Sequence, residues 1–308
     1  MDKLPKKTVL AYIGILSVVF IWAIIPIFKK ILIGDHFSAS VYSAITAFAS
    51  ALVLLVLNRK QLKNLHAGYF KIAVPTGLCL GAAALAQALA YNFNASPTNQ
   101  AFLENLSCLV VPVILLVVIK KKPSALTISA SVVCLLSSMV LSGVFSEQIA
   151  FSAADMLNAL AGVLYGVNIA FTGIYAKKYT ASLYVMIQLF VQAILSSLMA
   201  VAFNFLVIGS SVVDPFVFTF DPWLIIGLLA IGIISNALCW TIRTNAMKYV
   251  SANVVAVIMP FSAVITGVIA VLNGQDAPSW SLLIGAVLGI TASLMSATGD
   301  MKEQKEMT

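Results

Sequence analysis

Apolar runs of roughly twenty residues, separated by short polar gaps, follow one another along nearly the whole chain. About 20 helical residues cross the hydrocarbon core of a bilayer, so each run predicts a membrane span. The first, Thr8 to Phe28, reads TVLAYIGILSVVFIWAIIPIF and carries no charge. Others cover about 37–57, 72–93, 98–119, 123–144, 156–176, 180–208, 223–242, 249–272 and 279–298. The expected fold is an all-α integral membrane protein with ten transmembrane helices.

The gaps differ in charge. Lys3, Lys6 and Lys7, Arg59 to Lys71, Lys120 to Lys122, Lys177 and Lys178, Arg243 and Lys248, and Lys302 and Lys305 fall in alternate gaps or at the termini. Only Lys29 and Lys30 fall on the opposite side, with Asp35, Glu147, Asp155, Asp214, Asp221 and Asp276. Lys and Arg mark the cytoplasmic face, so both termini are expected inside a multi-pass plasma-membrane protein. The net charge of +7 is therefore a topological signal and a contact for anionic lipid headgroups, not a nucleic-acid surface. Arg243, near the end of the eighth run, reads first as a snorkelling residue of this kind and second as a contact for a substrate carboxylate. The lysine-rich start and first run are longer than a signal-peptide core and lack a small-x-small cleavage site, so they read as a retained helix.

Composition narrows the function. With 61% hydrophobic and 9% charged residues over 308 positions, a soluble fold is excluded. No G-x-x-x-x-G-K-[ST] loop occurs, so energy for work is expected from gradients and no cofactor is implied. Cys79, Cys108, Cys134 and Cys239 lie inside apolar runs without metal-ligand spacing, and His36 and His66 lie in gaps on opposite sides. No metal site is expected.

The runs divide into two halves of five, 1–146 and 147–308. An odd number makes the second half enter the membrane in the opposite sense, so homologous halves would form an inverted repeat. The fourth run (NASPTNQAFLENLSCLVVPVILLVVI) and the ninth (VSANVVAVIMPFSAVITGVIAVL) both open on small and polar residues and hold an interior proline, Pro112 and Pro260. Those prolines free helix carbonyls that protein or a water-filled cavity must satisfy. Gly77–Gly81, Gly162–Gly166 and Gly285–Gly289 have the spacing that lets helices approach closely.

Glu104 stands alone as an acid deep within a run, roughly 10 Å from its end at the helical rise. Intramembrane acids are costly, and this one suits proton coupling or a cationic substrate group. The bland alternative is a structural acid held by Asn105 or Lys30. Around it cluster Gln87, Asn92, Asn94, Thr98, Asn99, Gln100 and Asn105, while Tyr165, Asn168, Gln188, Gln192, Asn236 and Trp240 add polar or aromatic groups from the second half. Trp22, Tyr91, Trp240, Phe93 and Phe102 can stack on a ligand. The candidate substrate site is Glu104, Asn92, Asn99, Gln100, Tyr165, Asn168, Trp240 and Trp22.

These residues resemble the drug/metabolite transporter superfamily, in its ten-span branch of two EamA domains. The likeness covers nearly the whole chain. IWAIIPIFKKIL is similar to the family's Trp-Gly…Lys pattern, with Ala23 in place of the glycine. ALAYNFNASPTNQAFLENLSCLVVPVILLVVIKKKPS resembles its third-to-fifth-span segment, Asp155 to Tyr179 its sixth span, and MKYVSANVVAVIMPFSAVITGVIAVLNGQDAPSWSLLIGAVLGITASLM its last two. The family's Gly-Glu after the fourth and ninth spans is absent: Ile119 is followed by Lys120, Lys121 and Lys122, and Gly274 by Gln275.

The resemblance implies a secondary carrier or exporter of small metabolites, favours efflux and implies no particular substrate. The leading reading is a transporter of small polar or amphipathic molecules such as amino acids, amines or nucleoside-like compounds, with proton coupling through Glu104 as an option. Its expected mechanism is alternating access of two halves around a midplane site, for which a monomer is sufficient. An integral-membrane lipid-modifying enzyme would need an acid pair, a nucleophile with its base, or metal ligands. A channel would need a pore-lining polar ring. Neither constellation is seen in the sequence, so the protein reads as a non-enzyme whose partners are a small-molecule substrate and lipids.

Overall fold

The computed structural model describes residues 5–120, 123–141, 152–203, 214–275, 277 and 279–306, apart from the side chains of 99, 138, 141, 297 and 300–306. The proposed boundary at 146 and 147 lies outside the described residues. Lipid offers backbone groups no partner, so an apolar chain satisfies them within helices. Among the described residues the helices are α1 (Lys6–Leu32), α2 (Ala39–Leu57), α3 (Ala67–Leu89), α4 (Pro97–Leu103), α5 (Ser107–Ile119), α6 (Ala125–Leu141) and α7 (Ala153–Tyr175). They continue with α8 (Ala181–Val201), α9 (Pro222–Gly232), α10 (Cys239–Ala246), α11 (Ala252–Ile258), α12 (Phe261–Leu272) and α13 (Trp280–Glu306).

Among the described residues, eight helical segments are long and apolar enough to cross a membrane: α1, α2, α3 with its extension to Phe93, Gln100–Ile119, α7, α8, Pro222–Ala246 and Ala252–Leu272. The described apolar stretches of α6 and α13 are shorter, Ala125–Ser137 and Trp280–Ser296.

Three of the segments are interrupted between two α-helices. Between α4 and α5 the chain tightens into a 3-10 turn at Glu104–Leu106. Between α9 and α10 it widens into a π-helical turn at Ile233–Leu238. Between α11 and α12 it turns at Met259 and Pro260, where proline cannot donate to the ladder. Pro112 sits inside α5 instead. Asn105, not Pro112, has the same distance from the start of its helix as Pro260.

Packing is inside-out relative to a soluble protein. Leu10, Phe20, Leu57, Val117, Leu198 and Trp223 face outward, whereas Ser43, Ser50, Asn158, Asn168, Gln188 and Ser196 are buried. With lipid outside, helices gain from small contacts and hydrogen bonds rather than from hydrophobic exclusion. Gly81 shows the small-residue contact: a Cβ there would lie 2.9 Å from the Cα of Gln192 on α8. The same logic joins α6 to α13, where Ser137 Oγ donates to the Gly285 carbonyl at 2.7 Å.

The contacts exchange between halves. Helix α3 packs on α7 and α8, while α9–α10 packs on α1 and α2; α5 packs on α7, while α12 packs on α1. Helix α2 meets α8, and α6 meets α13.

Helix starts are capped by short polar side chains. Ser152 and Asp155 form a reciprocal capping box on α7, and Asp221 accepts from Trp223 N at 2.7 Å on α9. On α2 the cap comes from a distance in sequence. Asp214 is fully buried and accepts from Ala39 N at 2.7 Å and Ser40 N at 2.9 Å. The positive end of the helix dipole favours that carboxylate.

Candidate functional site

A cavity of about 1020 Å³ of atom-free space, its mouth included, lies among α1, α2, α3, the α4–α5 break, α7, the π turn with α10, and the α11–α12 break. A hydrophobic cluster that includes Ile15, Val18, Val19, Cys239 and Val255 adjoins it and shares Ile169 and Met259 with its lining. The polar groups within it form two sets.

The first set surrounds Glu104. The 3-10 turn carries this side chain at the point where α4 gives way to α5. Gln100 Nε2 donates to Glu104 Oε1 at 2.9 Å. Gln87 Nε2 donates to the same oxygen, and Lys29 Nζ donates to Gln87 Oε1. Tyr165 OH also reaches Gln87 Oε1, at 3.3 Å. One amide thus bridges a cation and a carboxylate, with its carbonyl toward the lysine and its NH2 toward the acid.

The second set surrounds Arg243. This side chain is 1% exposed, which corrects its reading as a snorkelling surface residue. Its guanidinium lies 3.7 Å from the ring centroid of Trp240 and 5.6 Å from that of Trp22, and the two indoles are 5.1 Å apart. Arg243 Nη2 donates to Asn168 Oδ1 at 2.9 Å, while Asn168 Nδ2 donates to the Thr76 carbonyl at 2.9 Å. Because Thr76 takes the amide NH2, the oxygen of Asn168 must face the arginine. Trp22 Nε1 donates to Ser235 O at 3.0 Å, and Ser50 Oγ to Gly232 O at 2.8 Å. Side chains of α1 and α2 therefore satisfy carbonyls at the widened π turn, as lipid-buried backbone requires.

Of the candidates chosen from sequence, Glu104, Gln100, Tyr165, Trp240 and Trp22 line this cavity. Asn168 lies behind it, fully buried, and acts through Arg243. Asn92 is a correction: its Nδ2 donates to Asp214 Oδ1 at 3.0 Å, and it lines a separate depression with Lys30, Asp35 and Asn94. The reason is electrostatic, since the buried Asp214 needs donors and Asn92 supplies one. The Asn99 side chain lies outside the described residues. Lys30 does not hold Glu104; it donates to Gln275 O at 3.0 Å.

Lys29 is missing from the candidates that the sequence offers, and Arg243 enters them only as a second reading. In sequence Lys29 and Lys30 follow the first apolar run like a helix exit, yet α1 runs on to Leu32. Trp22, Pro26 and Lys29 follow helical spacing and line the cavity together, a usable signal. Asn236, Trp240 and Arg243 share the same kind of face on the other side. Among the described residues, no cluster of His, Cys, Asp and Glu could hold a metal ion.

Residues 156–298 match the model of the EamA-like transporter family. The second half of this chain carries an EamA-like transporter domain. That domain supplies Tyr165, Asn168, Trp240 and Arg243 to the site, and its presence agrees with the resemblance to the drug/metabolite transporter superfamily. A crystal structure superposes on the chain with a TM-score of 0.72, at 15% identity, covering 96% of this chain and 99% of the other. At that identity the likeness shows the fold: the EamA-like domain and the helices before it share one known architecture. No curated protein sequence matches the chain.

Proposed function

We propose that the protein is a secondary carrier that exports a small polar metabolite across the plasma membrane by alternating access, with Glu104 as its proton-coupling group. The observation that carries this reading is a cavity holding Glu104, Lys29 and Arg243 inside a bundle of apolar helices that includes a transporter-family domain. An intramembrane charge is costly unless it faces water, a partner or a substrate. Transport is preferred to lipid chemistry because the acid in the cavity is held by the amides of Gln87 and Gln100 rather than by a base or a second acid. The site lies within one chain, so a monomer suffices.

In this reading ten spans form two inverted repeats, 1–146 and 147–308, with α6 and α13 as the fifth and tenth. The exchanged packing of α3 on α7–α8 and of α9–α10 on α1–α2 supports it, as do the breaks at corresponding places in α4–α5 and α11–α12. Rocking of one repeat against the other would part the apolar cluster that holds Ile15 and Val255.

The direct test is reconstitution. Liposomes loaded with mixed amino acids, organic acids and nucleosides should show saturable, stereoselective counterflow of at least one labelled member. Non-saturable flux would indicate a channel, and chemical conversion of lipid an enzyme. Topology is tested separately. The lysines at both termini and in alternate gaps support cytoplasmic ends. Reporter fusions at the C-terminus should be active inside the cell; external activity would remove the ten-span count.

A further inference from the structure

Resting on the carrier reading above, we propose that Arg243 is the subsite for the carboxylate of a monoanionic organic substrate whose body lies against the aromatic wall of Trp22, Trp240 and Tyr165. Three observations lead there. First, the cavity lining holds two cations, Lys29 and Arg243, against one acid, Glu104. Counted as ionised, the lining carries one positive charge more than negative, and protonation of Glu104 would only widen the surplus. A cationic amine is therefore disfavoured, and a single carboxylate restores neutrality where a doubly charged phosphate monoester would overshoot.

Second, Lys29 is connected to Glu104 through Gln87, but Arg243 is not. Its hydrogen bond is to the neutral Asn168, and its Nε has no partner among the described residues. A buried cation held by a neutral amide and aromatic faces is expensive unless an anion joins it. Third, the guanidinium is held in a fixed plane by Trp240 beneath it, with Asn168 fixed in turn by Thr76. A planar, pre-oriented fork pairs with a carboxylate through two parallel hydrogen bonds, which a lysine cannot do. Trp240 packs directly on Trp22 and Tyr165, with centroids 5.1 and 5.8 Å apart, so the three rings form one wall that suits an apolar or aromatic body attached to that carboxylate.

The test uses purified full-length protein in detergent and a panel of benzoate, phenylacetate, 3-phenylpropanoate and hexanoate, each paired with its uncharged amide. Binding is read by thermal shift and by quenching of tryptophan fluorescence. At least one acid should stabilise the protein where its amide does not. Arg243→Gln should weaken binding of that acid about 10- to 100-fold, the loss of a charged hydrogen-bonded contact. Arg243→Lys, which keeps the charge and loses the fork, should fall between the two.

A panel in which no acid outperforms its amide overturns the assignment, whether or not anything binds. So does a phosphate monoester that stabilises more than every acid, or a folded Arg243→Gln protein that binds acids like the parent. If Arg243→Gln does not fold, the acid–amide comparison on the unaltered protein decides alone. Acid binding without any counterflow would sink the carrier reading and leave the subsite; counterflow of amines that ignores acids would do the reverse.

Discussion

Replacing Glu104 with glutamine is expected to abolish uphill transport driven by a proton gradient while leaving downhill exchange intact. Glutamine keeps the shape, and its carbonyl oxygen can still accept from Gln87 and Gln100, as Glu104 Oε1 does. What disappears is the group that can take and release a proton beside Lys29. A carrier that has lost only its coupling step still turns over, but it can no longer accumulate. The pH dependence of transport in the parent should flatten in the variant. The melting temperature should move by less than about 4 °C, the equivalent of roughly 1 kcal/mol in a protein of this size class. Proton-driven accumulation at the parent level across the whole pH range would leave Glu104 a structural acid.

Substitution of Gly162 by alanine is expected to damage stability and transport together. An added Cβ would lie 2.5 Å from the Leu103 carbonyl oxygen and 3.0 Å from the Glu104 Cα. These are backbone atoms where α4 passes into the 3-10 turn, and they cannot rotate aside as a side chain can. Helix α7 must therefore back away from the turn, at a cost of about 1–3 kcal/mol, and Glu104 shifts with it. Gly227 on α9 is the control, because a Cβ there meets nothing within 4 Å. Gly227→Ala should melt at or slightly above the parent temperature, since alanine is the better helix former. Equal melting of the two variants would mean that the α7 contact is looser than the distances imply.

The difference between the two glycines bears on what the sequence could say. Hydrophobic runs are legible because lipid forces every crossing segment into a helix, so the eight long spans stand close to where the apolar runs put them. Glu104 is legible because an acid in an apolar run has few explanations. The cations are less so: Lys29 is not among the candidates, and Arg243 is one only as a second reading. Lys29 and Arg243 sit near helix ends, where Lys and Arg are ordinarily signs of orientation, and only tertiary contact reveals that they turn inward. Asn92 failed for the opposite reason. It belongs to the polar cluster in sequence, but Asp214, more than a hundred positions away, claims its amide. Pro112 and Pro260 looked equivalent because both interrupt apolar runs, yet Pro260 stands at a break and Pro112 inside α5. A proline removes one hydrogen bond; whether the helix parts there depends on what packs around it.

The π turn at Ile233–Leu238 has a consequence for how this site can be lost. A widened turn amounts to one residue inserted into an α-helix, and each helical residue rotates the following side chains by about 100°. Tightening that stretch into a regular α-helix without removing a residue would swing Trp240 and Arg243 about 100° off the cavity, whereas deleting one residue there would leave both facing it. The tightened chain would keep its length, its apolar profile and its count of charges. Two proteins alike in every such measure could thus differ in whether an arginine meets the cargo or the lipid.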